Sequence, residues 1–195
     1  DRGQMIDIHA DAPTLARLRQ GFGYCFRTPD GSSYPPILKA HEIDHAEPVT
    51  IDGDGGPLTF QPLPQIHGEI VSLGFRIEYK GKTVVYATDS EISNDPEIEA
   101  VNDRNIGNLF RDADVLIADC QYTKEQYETK IGWGHSSIDK IVDKCNTFGV
   151  KRLFAFHHDP MRTDEELDIM IDNASAQAKP PLKIYGAREK TSVLL

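Results

Sequence analysis

His67, Asp89, His135 and the pair His157-His158 lie far apart in the chain, yet each ends an apolar run or sits in a glycine turn. Imidazoles and carboxylates are the ligands of hydrolytic divalent metals, and strand ends hold them rigidly while leaving a position open for water. Thr83-Val84-Val85-Tyr86-Ala87-Thr88-Asp89 reads as a strand that delivers a carboxylate at its tip. Leu153-Phe154-Ala155-Phe156 runs in the same way into His157-His158. His67 follows a proline-punctuated strand and precedes Gly68, which permits close backbone approach to a ligand. Each residue also has a plainer reading. Asp89 in Thr88-Asp89-Ser90-Glu91 can be a turn or cap residue, and His67 an exposed loop residue. Neighbours on a strand point to opposite faces, so only one of the two histidines faces a given site. His157 is preferred as the ligand, with His158 orienting it.

Gly132-Trp133-Gly134-His135-Ser136-Ser137 is a glycine-rich turn leading into a helix. Free amides at a helix start bind anions, so Ser136 and Ser137 there could face a phosphate while His135 donates a proton to a leaving oxygen. Against this, either serine serves equally well as a simple N-cap. Asp119 ends the strand Val115–Ala118 and is placed to accept a hydrogen bond from a ligating imidazole.

Mixed α/β elements would carry these residues. Expected are a strand at 5–10, a helix at 11–20 and an ordered aromatic loop at 21–39. A strand at 58–63 and a hairpin of 73–79 with 83–88 follow, the hairpin turning at Lys80-Gly81-Lys82. The acidic stretch 96–111 reads as a helix, although its periodicity is poor around Asn102–Asn105. Beyond it come a strand at 115–119, helices at 124–129 and 137–147, a strand at 151–156, a helix at 164–177 and short strands near Ile184 and Val193.

At 195 residues the chain suits one well-buried domain, and 39% hydrophobic with 27% charged residues is ordinary globular composition. A net charge of −10 argues against nucleic acid as partner, because phosphate backbones need a cationic footprint. It leaves room for a small phosphate-containing substrate, since bound cations supply positive charge locally. Cys25, Cys120 and Cys145 form no Cys-x-x-Cys pair and read as reduced thiols, the latter two as buried fillers, which suits the cytoplasm. No apolar run is long enough to span a membrane, so no membrane partner is expected. A homodimer, the commonest assembly, is the default for quaternary state.

His67-Gly68, Ser72-Leu73-Gly74-Phe75-Arg76-Ile77, Tyr86-Ala87-Thr88-Asp89, Gly134-His135-Ser136-Ser137 and Phe156-His157-His158-Asp159 occur in an order that resembles metallo-β-lactamase-fold hydrolases. The likeness spans residues 5 to 190. It is strongest to phosphoribosyl cyclic phosphodiesterases and cyclic-nucleotide phosphodiesterase-like proteins. The resemblance implies an αββα sandwich with mixed sheets, helices outside, and two Zn2+ or Mn2+ ions at one sheet edge. His67 would bind the first ion, Asp89 bridge the two, and His157 bind the second, while His135 faces phosphate or donates a proton.

The family's His-x-His-x-Asp-His signature is absent from this chain. His9-Ala10-Asp11 and His41-Glu42-Ile43-Asp44-His45 have the wrong spacing and are decoys. The expectation is therefore that the motif and the first strands lie upstream of Asp1. The function expected is hydrolysis of a small cyclic or diester phosphate by a metal-activated water. Thioester, lactone or β-lactam hydrolysis on the same fold is the alternative, and a non-catalytic binding module is a third reading if Asp1 is the true start.

Overall fold

The computed structural model describes residues 5–26, 37–45, 47–93 and 96–195, with the backbone alone for 96–98 and 100–102. The chain forms two compact units, Asp1–Val49 and Thr50–Leu195, each described by itself.

In the first unit, strands β1 (Ile6–Ala10) and β2 (Leu38–Glu42) pair in parallel with His9 opposite His41. Helix α1 (Ala12–Gly21) begins where the Asp11 carboxylate accepts from Thr14 N at 3.0 Å, with Pro13 in its first turn. Asp11 is thus a helix cap. His9 and His41 stack on each other with centroids 4.6 Å apart, and His41 Nε2 lies 2.5 Å from Asp7 Oδ1. The 21–39 stretch departs from a plain loop at both ends: Gly23–Cys25 is a 3-10 turn and β2 begins at Leu38. Its central part, 27–36, falls outside the described residues.

The second unit is a seven-stranded mixed sheet in the order β3-β4-β5-β6-β7-β8-β9. These strands are β3 (Val49–Ile51), β4 (Leu58–His67), β5 (Ile70–Tyr79), β6 (Lys82–Ala87), β7 (Val115–Asp119), β8 (Arg152–Phe156) and β9 (Lys183–Gly186). β4, β5 and β6 run antiparallel, and β6 to β9 run parallel. The helices between the parallel strands are α2 (Pro96–Phe110), α3 (Lys124–Tyr127), α4 (Ile138–Phe148) and α5 (Asp164–Ser175). This is the mixed α/β architecture the sequence called for. The acidic segment is helical despite its weak periodicity. The strand expected near Val193 is absent, for 191–195 carry no regular structure.

β4 runs on to His67 through Pro62 and Pro64, further than the sequence suggested. Prolines two apart turn their missing donors to the same edge. They keep continuous register with β5, so that edge faces away from β5, where β3 is only three residues long.

The core follows from strand register. Val85, Leu116, Leu153 and Ile184 lie side by side across four strands and are all buried. One step toward the strand C-termini, Ala87, Ala118, Ala155 and Gly186 form a row of small residues. α4, with buried Ile138, Ile141, Val142 and Cys145, supplies much of the rest of this cluster. The small row lets helix-side chain approach the sheet closely beside the strand ends that carry Asp89, Asp119 and His157. Cys120 and Cys145 are buried free thiols whose pKa values burial pushes up, as inert fillers require.

Asp114 joins β6 to β8: its carboxylate accepts from Thr83 N and from Lys151 Nζ, both at 2.9 Å. The Lys151 hydrogen bond, then the Thr83 amide, hold its pKa below the ordinary aspartate value. A depressed folded-state pKa gives stability that is present above the unfolded-state value and lost as pH falls through the folded one. Asp114→Asn should therefore lower the urea midpoint at neutral pH, with the gap from the parent closing as pH falls below the carboxylate range. A gap that stays constant across that titration contradicts this role.

Candidate functional site

The C-terminal ends of the parallel strands β6, β7 and β8 meet the tip of the β4–β5 hairpin and the loop before α4. Crevices outside the carboxyl ends of parallel strands are where such sheets hold ligands. One ligand atom each from His67, Asp89 and His135 lie within 4.8 Å of one another, and the same holds for Asp119, His135 and His157. His157 Nε2 is also 3.7 Å from Asp89 Oδ1. His135 is the shared member, its ring stacked on His157 at 4.8 Å and edge-on to His67 at 5.0 Å.

Two of these residues occupy the left-handed region, Asp89 at φ 52° and His157 at φ 56°. Non-glycine residues rarely adopt it, and then mostly where the surroundings fix them. Asp89 is fixed from three directions. Ser72 Oγ donates to its carbonyl at 2.7 Å, Thr88 Oγ1 donates to its Oδ2 at 3.1 Å, and Gln65 Nε2 donates to the preceding carbonyl at 3.3 Å. At His157 the same backbone reversal ends β8.

The ring orientations follow from hydrogen bonding. His67 Nδ1 lies 2.8 Å from Gly134 O. A carbonyl only accepts, so Nδ1 carries the proton and Nε2 keeps its lone pair. His135 Nδ1 lies 2.7 Å from Asp119 Oδ2. Asp119 is fully buried and also accepts from the amides of Ser90 at 3.4 Å, Gln121 at 3.2 Å and Ser136 at 3.4 Å. Burial pushes its pKa above the ordinary aspartate value, while the His135 hydrogen bond and charge, then His157, pull the other way. With amide donors converging on it, Asp119 acts as an acceptor that orients the His135 ring and leaves Nε2 exposed to the cluster.

His67, anchored through Nδ1 and presenting Nε2, lies next to the Asp89 carboxylate, which Thr88 holds and His157 Nε2 approaches, and together they make a donor set that fits a divalent ion. The residues present thus suit the metal that the fold implies.

The other sequence candidates lie elsewhere or have other partners. His158 is in neither group of converging ligand atoms and lines a cavity of about 400 Å³ with Asp164, Leu167, Asp168, Ala187, Arg188 and Glu189. Burial pushes its pKa below the ordinary histidine value. Ser136 Oγ donates to Ser90 O at 2.6 Å and accepts from Ile92 N at 3.0 Å. Ser137 caps α4, its hydroxyl accepting from Lys140 N. Both hydroxyls are therefore occupied by backbone partners.

Glu91 is the residue that sequence reasoning did not single out. Only 4% exposed, it accepts from Tyr127 Oη, Gly132 N and Gly134 N, each at 2.7 Å. Burial and this carboxylate push the Tyr127 pKa well up, as expected for a phenol committed as donor. Gly132 at φ 84° and Gly134 at φ 94° allow the loop to turn both amides onto Glu91, and a Cβ at Gly134 would run into the His67 ring. Two glycines flanking a tryptophan were the only sequence signal that the loop needed an acceptor.

A family model for the beta-lactamase superfamily domain matches residues 1–158. The chain belongs to that superfamily. The fold family binds divalent metals, in agreement with the donor set above. No curated protein matches this superfamily chain.

Several solved structures share the fold. The metallo-β-lactamase fold protein YhfI from Bacillus subtilis superposes with a TM-score of 0.68 at 18% identity, covering 94% of this chain and 64% of that one. Unliganded yeast PDE1 gives 0.66 at 13% identity over 97% and 60%. A diphosphatase from the PhnP family gives 0.57 at 20% identity over 94% and 56%. This superfamily chain thus spans less than two thirds of the length of each.

Glu91→Gln keeps the side chain's shape but replaces one acceptor oxygen with an NH2 that faces a backbone N–H. Loss of a buried charged acceptor of this kind costs about 1–3 kcal/mol. Urea unfolding should show that loss, and a change below about 0.5 kcal/mol, the range of ordinary surface substitutions, would mean the loop is held by something else.

Proposed function

We propose that the chain is a metal-dependent phosphodiesterase domain acting on a small cyclic or diester phosphate. The observation that carries this reading is the Asp119–His135 pair, whose free Nε2 is aimed at the cluster of His67, Asp89 and His157. An imidazole oriented by a buried carboxylate is the arrangement that passes a proton to a departing alkoxide. The phosphodiesterase and diphosphatase named among the similar structures support this choice over other hydrolyses on the same fold.

His67 through Nε2, Asp89 and His157 would hold divalent metal, Zn2+ or Mn2+, with two ions expected per site. Bound there, they would polarise a phosphoryl oxygen and make an attacking hydroxide available near neutral pH. The chain's own residues do the rest. Gly134 O and Asp119 fix the two ring tautomers, Ser72 fixes the Asp89 backbone through its carbonyl, and Thr88 holds the Asp89 carboxylate. His135, its Nδ1–H directed to Asp119, delivers a proton from Nε2 to the leaving oxygen. The negative chain favours a small phosphate over a polynucleotide. A second reading has one specific support: His135 lies within coordinating reach of His67 and Asp89, so it could itself be a ligand.

Leaving-group chemistry separates the two. p-Nitrophenolate departs without a proton, whereas an alkoxide needs one. His135→Ala should therefore slow hydrolysis of an alkyl diester or cyclic phosphate by roughly 10²–10⁴, leave bis-(p-nitrophenyl) phosphate nearly unaffected and retain metal. Asp89→Ala should abolish both activities and reduce bound metal. Equal loss of both activities together with metal in His135→Ala would make His135 a ligand and end the proton-donor assignment.

A further inference from the structure

Trp133 is 60% exposed, although it is the largest apolar side chain in the sequence and sits in a tightly held loop. Keeping such a ring in water opposes the hydrophobic effect, and a rigidly held exposed aromatic beside a polar cluster can serve a ligand. The loop leaves it little freedom. Both flanking residues, Gly132 and Gly134, donate their amides to Glu91, Gly134 O accepts from the His67 ring, and Trp133 N donates to Lys130 O at 3.1 Å. Trp133 is therefore fixed one residue from a contact with the cluster and two residues from His135.

Lys130 Nζ sits 3.8 Å from the centre of the Trp133 ring. A cation on one face orients the ring and leaves the other face for a flat partner. Ile131, at 58% exposure, continues the apolar surface along the loop. The hairpin tip lies against this loop: a Cβ on Gly68 would meet Gly132 O at 2.9 Å. The exposed Trp133 and Ile131, with one ammonium group on the ring, thus belong to the same loop that supplies Gly134 O and His135 to the polar cluster.

We propose that Trp133, oriented by Lys130, is the stacking platform for a planar heterocyclic base carried by the substrate. It deepens the phosphodiesterase reading, on which the identity of the phosphate half rests: the substrate would be a nucleotide-like cyclic or diester phosphate and not a bare sugar phosphate. Aromatic stacking tolerates any base, because each presents a π face. The platform therefore sets the class of substrate without reading which base it carries.

Trp133 is the one tryptophan of the sequence, so its emission reports on the platform directly. The metal-loaded protein is titrated with AMP and, separately, with ribose 5-phosphate, which shares the phosphate and sugar but lacks the base. Expected are saturable quenching by AMP alone and a dissociation constant for AMP about tenfold below that for ribose 5-phosphate by calorimetry. Trp133→Ala should erase the difference and Trp133→Phe should keep most of it. Equal affinity for the two ligands in the parent, or a preference for AMP that survives Trp133→Ala, overturns the platform. So does emission that shifts to the blue with protein concentration alone, which would assign the ring to a contact between copies. Absence of diester turnover with the AMP preference intact removes the phosphodiesterase reading and supports the platform. Turnover with no base preference removes the platform alone.

Discussion

The Glu91 carboxylate is the constraint on which the site depends. A buried anion is costly unless its charge is met, and here a phenol and a pair of backbone amides meet it. Those amides belong to the loop that supplies His67 with its acceptor, Gly134 O, and leads directly into His135. The backbone of Glu91 is anchored too, its N–H donating to Ile66 O at 2.7 Å beside His67. One residue therefore ties the end of β4, the turn after β6 and the loop before α4 into a single body. It works together with the direct His67–Gly134 O hydrogen bond and the Ser136 bridge to Ser90 and Ile92 in holding His67 and His135 at a fixed distance.

Around that tie, the sheet supplies direction. β6, β7 and β8 run parallel and end at the same level, so Asp89, Asp119 and His157 reach the crevice as neighbours. The backbone reversals at Asp89 and His157 turn their side chains out of the strand repeat. Strain of this kind persists only where the surroundings over-determine it, and Ser72, Thr88 and Gln65 do so at Asp89. The Asp119–His135 pair adds a different device, a buried carboxylate that orients the ring beside it.

Much of this was legible in the sequence because it rests on local rules. Apolar runs closed by a chemical residue marked β6, β7 and β8, Lys80-Gly81-Lys82 marked the hairpin, and Ser137 marked the start of α4. His67, Asp89, His135 and Asp119 were recognisable by type and by position at strand ends or turns. What was not legible depends on pairing between distant segments. β2 and β3 are short strands that exist only through their partners, and β4 extends through two prolines because its outer edge is nearly free. Glu91 was not singled out because its carboxylate's partners are more than thirty residues away. Ser136 looked available to a ligand because nothing local shows that its hydroxyl bridges Ser90 and Ile92.

The central claim is that His67 Nε2 and the Asp89 carboxylate bind a divalent ion while His135 stays free to move a proton. Anomalous diffraction at the zinc edge from zinc-soaked crystals tests it most directly. The account predicts a peak about 2.0–2.2 Å from His67 Nε2 and an Asp89 oxygen, with His135 Nε2 outside bonding distance. A peak bonded to His135 Nε2, or none near Asp89, would contradict it.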